Sequence, residues 1–574
     1  MKRIALAALL SLAAAAAGAQ TMSEALTYSV NDYFGTARSI ALGGAMTALG
    51  GDLGSMGINP AGSAVAPYSQ FTISQGITVM TNTAGYSTYY NEDYTGYKDF
   101  IAKKYNIPNI GFTMKFDTYD SSLKWFTLGF ASTATSHFMN DFAGSGYNDK
   151  TSILGSFAAG ASPYTPSQLM NRNGFFDSGI PWNYMVAYQG GMIAEAYDEF
   201  GQVMYDGNNY TYLGATEGMY RTSDGSYDIR TMGELKQTSR VQTYGAKYDL
   251  LMNLGMNFND SFFLGFNLGM PVANYHYVES FDEAAVDPAQ FEIEYDDGVV
   301  TRFDSASYEY YQSSELAGIY LKAGFIWVPG GGLRIGAAFQ TPTFLTITDR
   351  WDVTAKTYFS DSSYDTGASS PQNDYTYNLR APWRFNAGIA YTLGRFGLVS
   401  ADFEMADYST MRFSEINSEG FYDRYAFEAE NQVNRYFAGK EYSGRFGVEL
   451  RPVPAFSLRA GYSLRTSPQY YAYDKNGVKY TAGGYLNYYD DFDRGNNSIL
   501  SKEAFPDIYS TYSCGLGYSS DRSFYADIAY RLAKYPTDYF NPYSDYITGG
   551  DEYLPEVAQT RRMTDIVFTL GWRF

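Results

Sequence analysis

The sequence predicts an all-β fold: a transmembrane antiparallel β-barrel of about fourteen strands with an amino-terminal hatch in its lumen. Three observations carry this. The chain ends on an amphipathic strand, alternating segments recur from residue 71 onward, and the connections between them alternate between short and long. The final residues read RMTDIVFTLGWRF. Ile566, Phe568, Leu570, Trp572 and Phe574 fall on one side of an extended strand, and Asp565, Thr569, Gly571 and Arg573 on the other. A terminal strand that is apolar on one face and ends in an aromatic residue is how a bacterial outer-membrane barrel closes, with lipid outside and water inside.

The alternating segments are 71–80, 109–117, 124–138, 241–258, 261–277, 315–328, 332–348, 377–392, 396–412, 441–451, 456–467, 507–519, 522–534 and 562–574. Residues 241–258 are the clearest. Tyr244, Tyr248, Leu250, Met252, Leu254 and Met256 face one way, and Lys247, Asp249, Asn253 and Asn257 the other. Asn259-Asp260 then supplies a tight reversal. The short connections are such turns. The long ones are 81–108, 139–240, 278–314, 349–376, 413–440, 468–506 and 535–561. Short periplasmic turns, long outer loops and an even strand number are the expected asymmetry of such a barrel. A soluble sandwich or propeller also has many strands, but its connections need not alternate in this way, and no internal repeat is evident.

The start of the chain, MKRIALAALLSLAAAAAGA, has Lys2 and Arg3 ahead of a short apolar run and a small-residue cleavage site. It reads as a signal peptide over 1–19, with the mature chain beginning near Gln20. No later segment approaches the ~20 apolar residues of a membrane-spanning helix, so a mature chain in the membrane must span it as a closed barrel. The composition agrees: 57 Tyr and 39 Phe coexist with a mean hydropathy of −0.30, and tyrosine suits a membrane interface. The formal charge of −20 argues against a nucleic-acid partner. Cys514 is the sole cysteine, and His137 and His276 are the only histidines. That starves disulfides, most metal sites and most catalytic triads of their parts. The reading is therefore not an enzyme, with no cofactor and no metal. Haem is not supported by the histidine count either, which leaves tyrosine ligation as its one route.

Residues 20–70 precede the barrel as a glycine-rich segment, NDYFGTARSIALGGAMTALGGDLGSMGINPAG. No strand–loop–helix frame and no GK[ST] supports phosphate binding. Gly43, Gly44, Gly50 and Gly51 favour close backbone packing in a lumen, and Asn59-Pro60-Ala61 a fixed turn. The run ARSIALGGAMTALGGD, the INPAG turn before the first strand, FQTPTFLTITD at 339–349 and the pair APWRFNAGIAYTLGRFGLVSADFEMADYS at 381–409 resemble the FadL/TodX family of outer-membrane transporters for long-chain fatty acids and aromatic hydrocarbons. The resemblance implies a hatch-plugged barrel of fourteen strands that takes hydrophobic ligand from apolar outer loops. It also implies release through hatch movement and an inward kink of the third strand, where Ala131, Ser132, Thr133 and Ala134 form a slim run.

Strand parity directs Lys247, Asp249, Arg380, Arg384, Asp402, Glu404, Arg445, Glu449, Arg459, Asp527 and Arg531 inward, because a lipid-facing charge costs roughly 2–4 kcal/mol near the midplane. Lys247, Arg380, Arg384 and Arg445 are the candidates to hold a ligand carboxylate; the alternative is a lumenal network of mutual ion pairs. The apolar stretch 180–196 reads either as a capture surface or as a small core within the longest loop. Asp490, Asp491 and Asp493 are a weak calcium candidate. Trp327 and Trp572 suit an interfacial girdle. The leading expectation is passive outer-membrane transport of hydrophobic small molecules, such as long-chain fatty acids, by a monomer in a Gram-negative outer membrane. Its surroundings would be lipid and lipopolysaccharide, and the barrel assembly machinery would read its terminal strand. The alternative is an interaction or secretion-associated barrel that works through its long loops.

Overall fold

The computed structural model describes residues 21–574 except 89–93, 119, 121, 177–178, 207–208, 224, 295–297, 417–421, 424–425, 475–476, 478, 483–498, 521–522, 545 and 547–553. The signal-peptide segment 1–19, the acidic residues Asp490, Asp491 and Asp493, and Asp521 of one short turn lie outside the described residues.

Fourteen antiparallel strands close on themselves. They are β1 (Gln70–Ser87), β2 (Thr95–Asp117), β3 (Leu123–His137, continued by Asn140–Asn148), β4 (Leu235–Phe258), β5 (Phe262–Ala285), β6 (Val300–Gly330), β7 (Leu333–Gln340 and Thr343–Phe359) and β8 (Asn373–Ala381 and Arg384–Thr392). The circuit continues with β9 (Gly397–Asp407), β10 (Lys440–Val453), β11 (Phe456–Thr466), β12 (Ile508–Ser519), β13 (Phe524–Phe540) and β14 (Glu556–Arg573). β14 pairs with β1 from Arg573↔Gln70 to Glu556↔Ser87, which removes every free edge at the seam.

The apolar faces point outward as the alternation requires. Phe568, Ile566, Met252 and Leu321 are exposed on the outer surface, while Thr569, Asp565, Asn253 and Lys322 are buried within. Trp327 and Trp572 are exposed at the ends of β6 and β14 beside the short turns, where a girdle belongs. Asn259 and Asp260 both take positive φ, 55° and 57°, in the tight turn between β4 and β5.

The strands run well past the apolar belt. Much of what reads as long loop at 81–108, 278–314 and 349–376 is strand. There both faces carry polar residues, as in TRFDSASYEYYQSS of β6, so period two leaves no hydropathy signal. Likewise the segment 139–240 is not all connection: β3 continues to Asn148 and β4 begins at Leu235.

Two bodies occupy the cylinder. The hatch, residues 21–66, holds α1 (Met22–Ser29), capped by Thr21 and Glu24 as a capping box, the short helix α2 (Ala37–Ala41), and 3-10 turns at Leu53–Ser55 and Pro60–Val65. A cap, within residues 149–234, carries α3 (Ile153–Ala161), α4 (Pro166–Leu169) and α5 (Trp182–Gln189) with short ribbons. Its core of Leu154, Phe157, Trp182, Met185 and Val186 packs on Phe281, Phe303 and Tyr308, which lie on the lumen side of the risen strands. The cap thus covers the outer mouth. The apolar stretch 180–196 is this core and not an exposed surface: Ile180, Trp182, Met185, Val186, Ala187 and Met192 are all buried.

Candidate functional site: hatch, chamber and side slot

The hatch lies against wall glycines that leave room for its backbone. A Cβ on Gly265 would fall 2.3 Å from Ala61 N, one on Gly336 2.2 Å from Thr47 O, and one on Gly461 2.1 Å from Gly43 N. On the hatch side Gly43, Gly44, Gly50 and Gly51 all have positive φ, from 63° to 76°, so side-chained residues would be strained there. Asn59 caps the Pro60–Val65 turn by accepting from Ala61 N, and its amide donates to Thr47 O at 2.7 Å and Phe325 O at 2.9 Å. One side chain therefore ties the Asn59-Pro60-Ala61 turn to the hatch interior and to β6.

Neutral groups add to this, as Asn267 does by donating to Met56 O at 2.7 Å, and many further wall contacts are charged. Lys247 Nζ donates to Tyr28 O and Val30 O, each at 2.8 Å, and Lys322 Nζ to Gly57 O at 2.8 Å. Arg384 donates to Ser29 O at 2.6 Å and to Glu404 at 3.0 Å. Arg445 pairs with the same carboxylate and lies 4.4 Å from the Tyr33 ring. Arg38 of the hatch pairs with Glu449 at 3.0 Å, Arg459 joins Glu449 at 2.7 Å and Asp527, and Arg531 holds Asp565 at 2.9 Å. Asp402 accepts from Thr47 N at 2.7 Å. Most of the inward charges thus form the mutual network.

This corrects the assignment of ligand cations. Lys247, Arg384 and Arg445 are engaged by hatch carbonyls and Glu404. Arg380 does not face the lumen at all. It is exposed and donates to Thr410 O at 3.3 Å. Pro382, which has no amide to give, interrupts β8, and the break moves the buried set from Tyr377, Leu379 and Ala381 to Arg384 and Asn386. Parity counted through that break puts Arg380 on the wrong face.

Above the hatch is a chamber of about 280 Å³ with two unlike walls. Phe138, Phe142, Tyr275, Tyr277 and Phe540 make one, and Asp32, Glu441, Arg465, Asp538 and Arg561 contribute to the other. Arg465 pairs with Asp32 at 3.1 Å and lies 3.6 Å from Glu441. Arg561 lies over the Tyr535 ring at 3.9 Å. It forms no ion pair among the described residues. The sequence reading missed it because it sits one residue before the last alternating segment.

The wall opens beside this chamber. β2 pairs with β3 only from Asp117↔Trp125 to Asn109↔Thr133. Above that level β2 is paired to β1 alone among the described residues. β3 bulges at Thr135, where Lys247↔Ser136 is followed by Tyr248↔Ala134, and it breaks at Phe138-Met139. Its continuation Asn140–Asn148 stays on β4 but passes inside β1. There the inward Asn82 donates to Asn140 Oδ1 at 2.6 Å and Asp141 O at 2.7 Å, and Tyr86 packs on Gly144 and Gly146. The kink therefore follows the slim run. Ala131, Ser132, Thr133 and Ala134 stay in the ladder with β4, and Ala131 and Ala134 are fully buried against hatch residues Leu53, Met56 and Phe34. Small residues there make room for the hatch; the bulge carries the bend.

Hatch and slot touch directly. Asp32 N donates to Thr135 O at 2.8 Å, at the bulged residue. Across the opening, Lys104 of β2 donates to Gly245 O of β4 at 2.8 Å. Beside it His137 packs on Phe34 with ring centroids 4.4 Å apart. His276 stacks on the exposed Tyr244, so the two histidines serve opposite faces of the wall. A separate cleft of about 690 Å³ lies in the cap, with Met192, Ile193, Met219, Met232 and Phe359 beside Glu195 and Glu292.

Several solved structures are similar to the chain. A Pseudomonas aeruginosa FadL homologue shares 12% identity at a TM-score of 0.47, over 95% of this chain and 100% of that one. The Pseudomonas putida toluene transporter TodX shares 11% at 0.44, over 95% and 100%. The Ralstonia pickettii toluene transporter TbuX shares 13% at 0.40, over 95% and 99%. No protein-family model and no curated protein sequence matches the chain.

Proposed function

We propose that this protein is a passive outer-membrane channel for small amphipathic hydrophobic molecules, which it releases sideways through the slot between β2 and β4. The observation that carries the reading is the bulge at Thr135, where β3 leaves β2 beside the chamber and the hatch backbone is hydrogen-bonded. A hydrophobic solute partitions away from water, so an aqueous path through the hatch is unfavourable, whereas a sideways path keeps it near apolar surface. The aromatic wall suits a hydrocarbon body. Arg561, with its forked donors, suits a carboxylate. This favours a fatty-acid-like ligand over a bare hydrocarbon. The cleft in the cap is the first contact on this route.

The test is oleate uptake into vesicles carrying the wild type, a Thr135 deletion and Arg561→Gln. Removing the bulged residue makes the β3–β4 ladder continuous as far as His137 and is expected to cut uptake at least tenfold, with the heat-modifiable barrel intact on gels. Arg561→Gln is expected to slow oleate more than toluene. Undiminished uptake after the deletion would refute sideways release.

One observation favours a second reading. The cap is a folded body that presents Phe176, Phe200 and Tyr205 outward, as an interaction barrel would. A stable protein partner that survives purification, with oleate uptake absent, would move the assignment there.

A further inference from the structure

The outer surface of the barrel carries an unpaired cationic pair at a defined height. Lys534 of β13 and Arg562 of β14 are direct cross-strand partners, and both are exposed on the outward face. Like charges directly opposite in a ladder repel. Two other outward arginines avoid this exposure: Arg240 pairs with Asp141 at 3.1 Å, and Arg350 with Glu315 and Asp374 at 3.2 Å each. Among the described residues neither Lys534 nor Arg562 forms an ion pair, in a chain of net charge −20. The Lys534 ammonium lies 5.5 Å from the Tyr512 ring centroid, which fixes its direction along the outer surface. Lys103 of β2, also exposed, adds a third cation: it pairs with Val79, whose β14 partner is Thr564. The nearest outward carboxylate on these strands, Asp99, accepts from Thr83 at 2.6 Å, one row above the Arg562 level.

The height identifies the counter-ion. Arg562 follows Trp572, the girdle residue at the other end of β14, by ten positions toward the outer side, and Lys534 follows Phe524 on β13 by the same step. At ~3.3 Å per residue and a tilt near 40° that is roughly 25 Å, the height of the apolar band of such barrels. The pair therefore lies at the outer interface, where the outer leaflet presents the phosphates of lipopolysaccharide. Directly below are Leu532, Thr564, Tyr530 and Ile566, a surface for acyl chains.

We infer that Lys534 and Arg562, with Lys103 beside them, form a binding site for a lipid A phosphate on the outer face of β13, β14 and β2. A guanidinium and an ammonium converging on one phosphate relieve their mutual repulsion and supply charge-assisted hydrogen bonds. Arg561, the adjacent residue, points into the chamber, so one dipeptide serves both surfaces of the wall.

The experiment is native mass spectrometry of the purified barrel titrated with bis-phosphorylated lipid A and with its fully dephosphorylated form. Lys534→Gln and Arg562→Gln are each expected to weaken the phosphorylated lipid about fivefold and together about thirtyfold, while Lys534→Arg retains it. Arg350→Gln, on the far side, is expected to have no effect. Heat-modifiability and melting temperature check folding for each protein, and the single variants stand in should the double variant fail. Equal binding of both lipids by the wild type, or undiminished binding by the variants, overturns the assignment. Displacement of lipid A by millimolar inorganic phosphate would make free phosphate the ligand and overturn it as well.

Discussion

The lumen is filled from two sides, and the two fillings are held by different physics. The hatch meets the wall through hydrogen bonds from Lys247, Lys322, Arg334 and Arg384 to its carbonyls, and through the Arg38–Glu449 and Arg465–Asp32 pairs. The cap meets the wall largely through aromatic packing: Phe157 on Tyr308 at 5.0 Å and Trp182 on Trp351 at 6.0 Å. Apolar packing is non-directional and additive with area, so it favours a lid that stays. A buried ion network has discrete geometries, and its attraction largely offsets its own desolvation, so it gives registry without great net adhesion. On the proposed function, the difference makes the hatch the part that moves and the cap the part that stays.

The largest expected effect breaks the hatch side. Glu404→Gln leaves two buried guanidiniums, Arg384 and Arg445, without their shared carboxylate, at a cost of about 3–5 kcal/mol. The barrel should still close, since its ladder is untouched. Hatch release should appear as a rise in planar-bilayer conductance and as protease cleavage within residues 21–66. A silent, protected variant would show that the network does not retain the hatch. On the cap side Trp182→Ala removes a buried ring that touches Phe175, Phe176 and Trp351 and should cost about 3–5 kcal/mol. Hydrogen exchange should then rise across residues 153–193 and leave the hatch protected. Coupled loss of both would mean that cap and hatch form one cooperative unit.

That separation was only partly legible in the sequence. The strand number, the lipid-facing residues and the hatch turn at Asn59-Pro60-Ala61 are set by local rules: period two, turn chemistry and glycine. What was not legible depends on where strands leave those rules. Pro382 changes the phase of β8 and sends Arg380 outside, and the bulge at Thr135 comes just after the small residues that resemble a kink. The charges of the network are visible as inward residues. That Lys247 serves Tyr28 and Val30 depends on contacts 219 and 217 residues apart, which no local pattern encodes. The cap was hidden for a similar reason, since part of its core, Phe281, Phe303, Ala306, Tyr308, Val353 and Ala355, belongs to β5, β6 and β7.

A pH comparison sharpens the cap further. Glu217 is buried in the cap and accepts from Gly214 N at 2.9 Å. Burial raises its pKa from the ordinary 4.5 to about 7, with the Gly214 amide working against that shift. The folded cap therefore holds a proton that the unfolded cap releases near pH 4.5. The stabilisation is complete below that pH and is lost as pH rises toward 7, by about 3 kcal/mol. Cap exchange rates should climb over that window in the wild type and less steeply in Glu217→Gln. Glu283, bonded to Ser152 in the same cluster, is coupled to Glu217 and leaves a residual slope in the variant. Identical pH profiles would place the titrating group elsewhere.

The smallest expected effect lies between the two fillings, at the slot. Lys104 reaches from β2 to β4, where the break in β3 leaves Gly245 without a partner on the β3 side among the described residues. Lys104→Met keeps the stem and removes the donor, at about 1–2 kcal/mol for a charge-assisted bond to a partly buried carbonyl. If the slot is the exit, that energy belongs to its closed state, and oleate release should speed up severalfold while hatch protection stays as it was. Gly245 itself is a poor site for the complementary change, because its φ of 131° and the Asn274 carbonyl 2.1 Å from a would-be Cβ forbid a side chain. The partner test is therefore Lys104→Arg, which preserves the donor and should restore slow release. Fast release from both variants would mean that the lysine fills the slot by shape and not by its hydrogen bond.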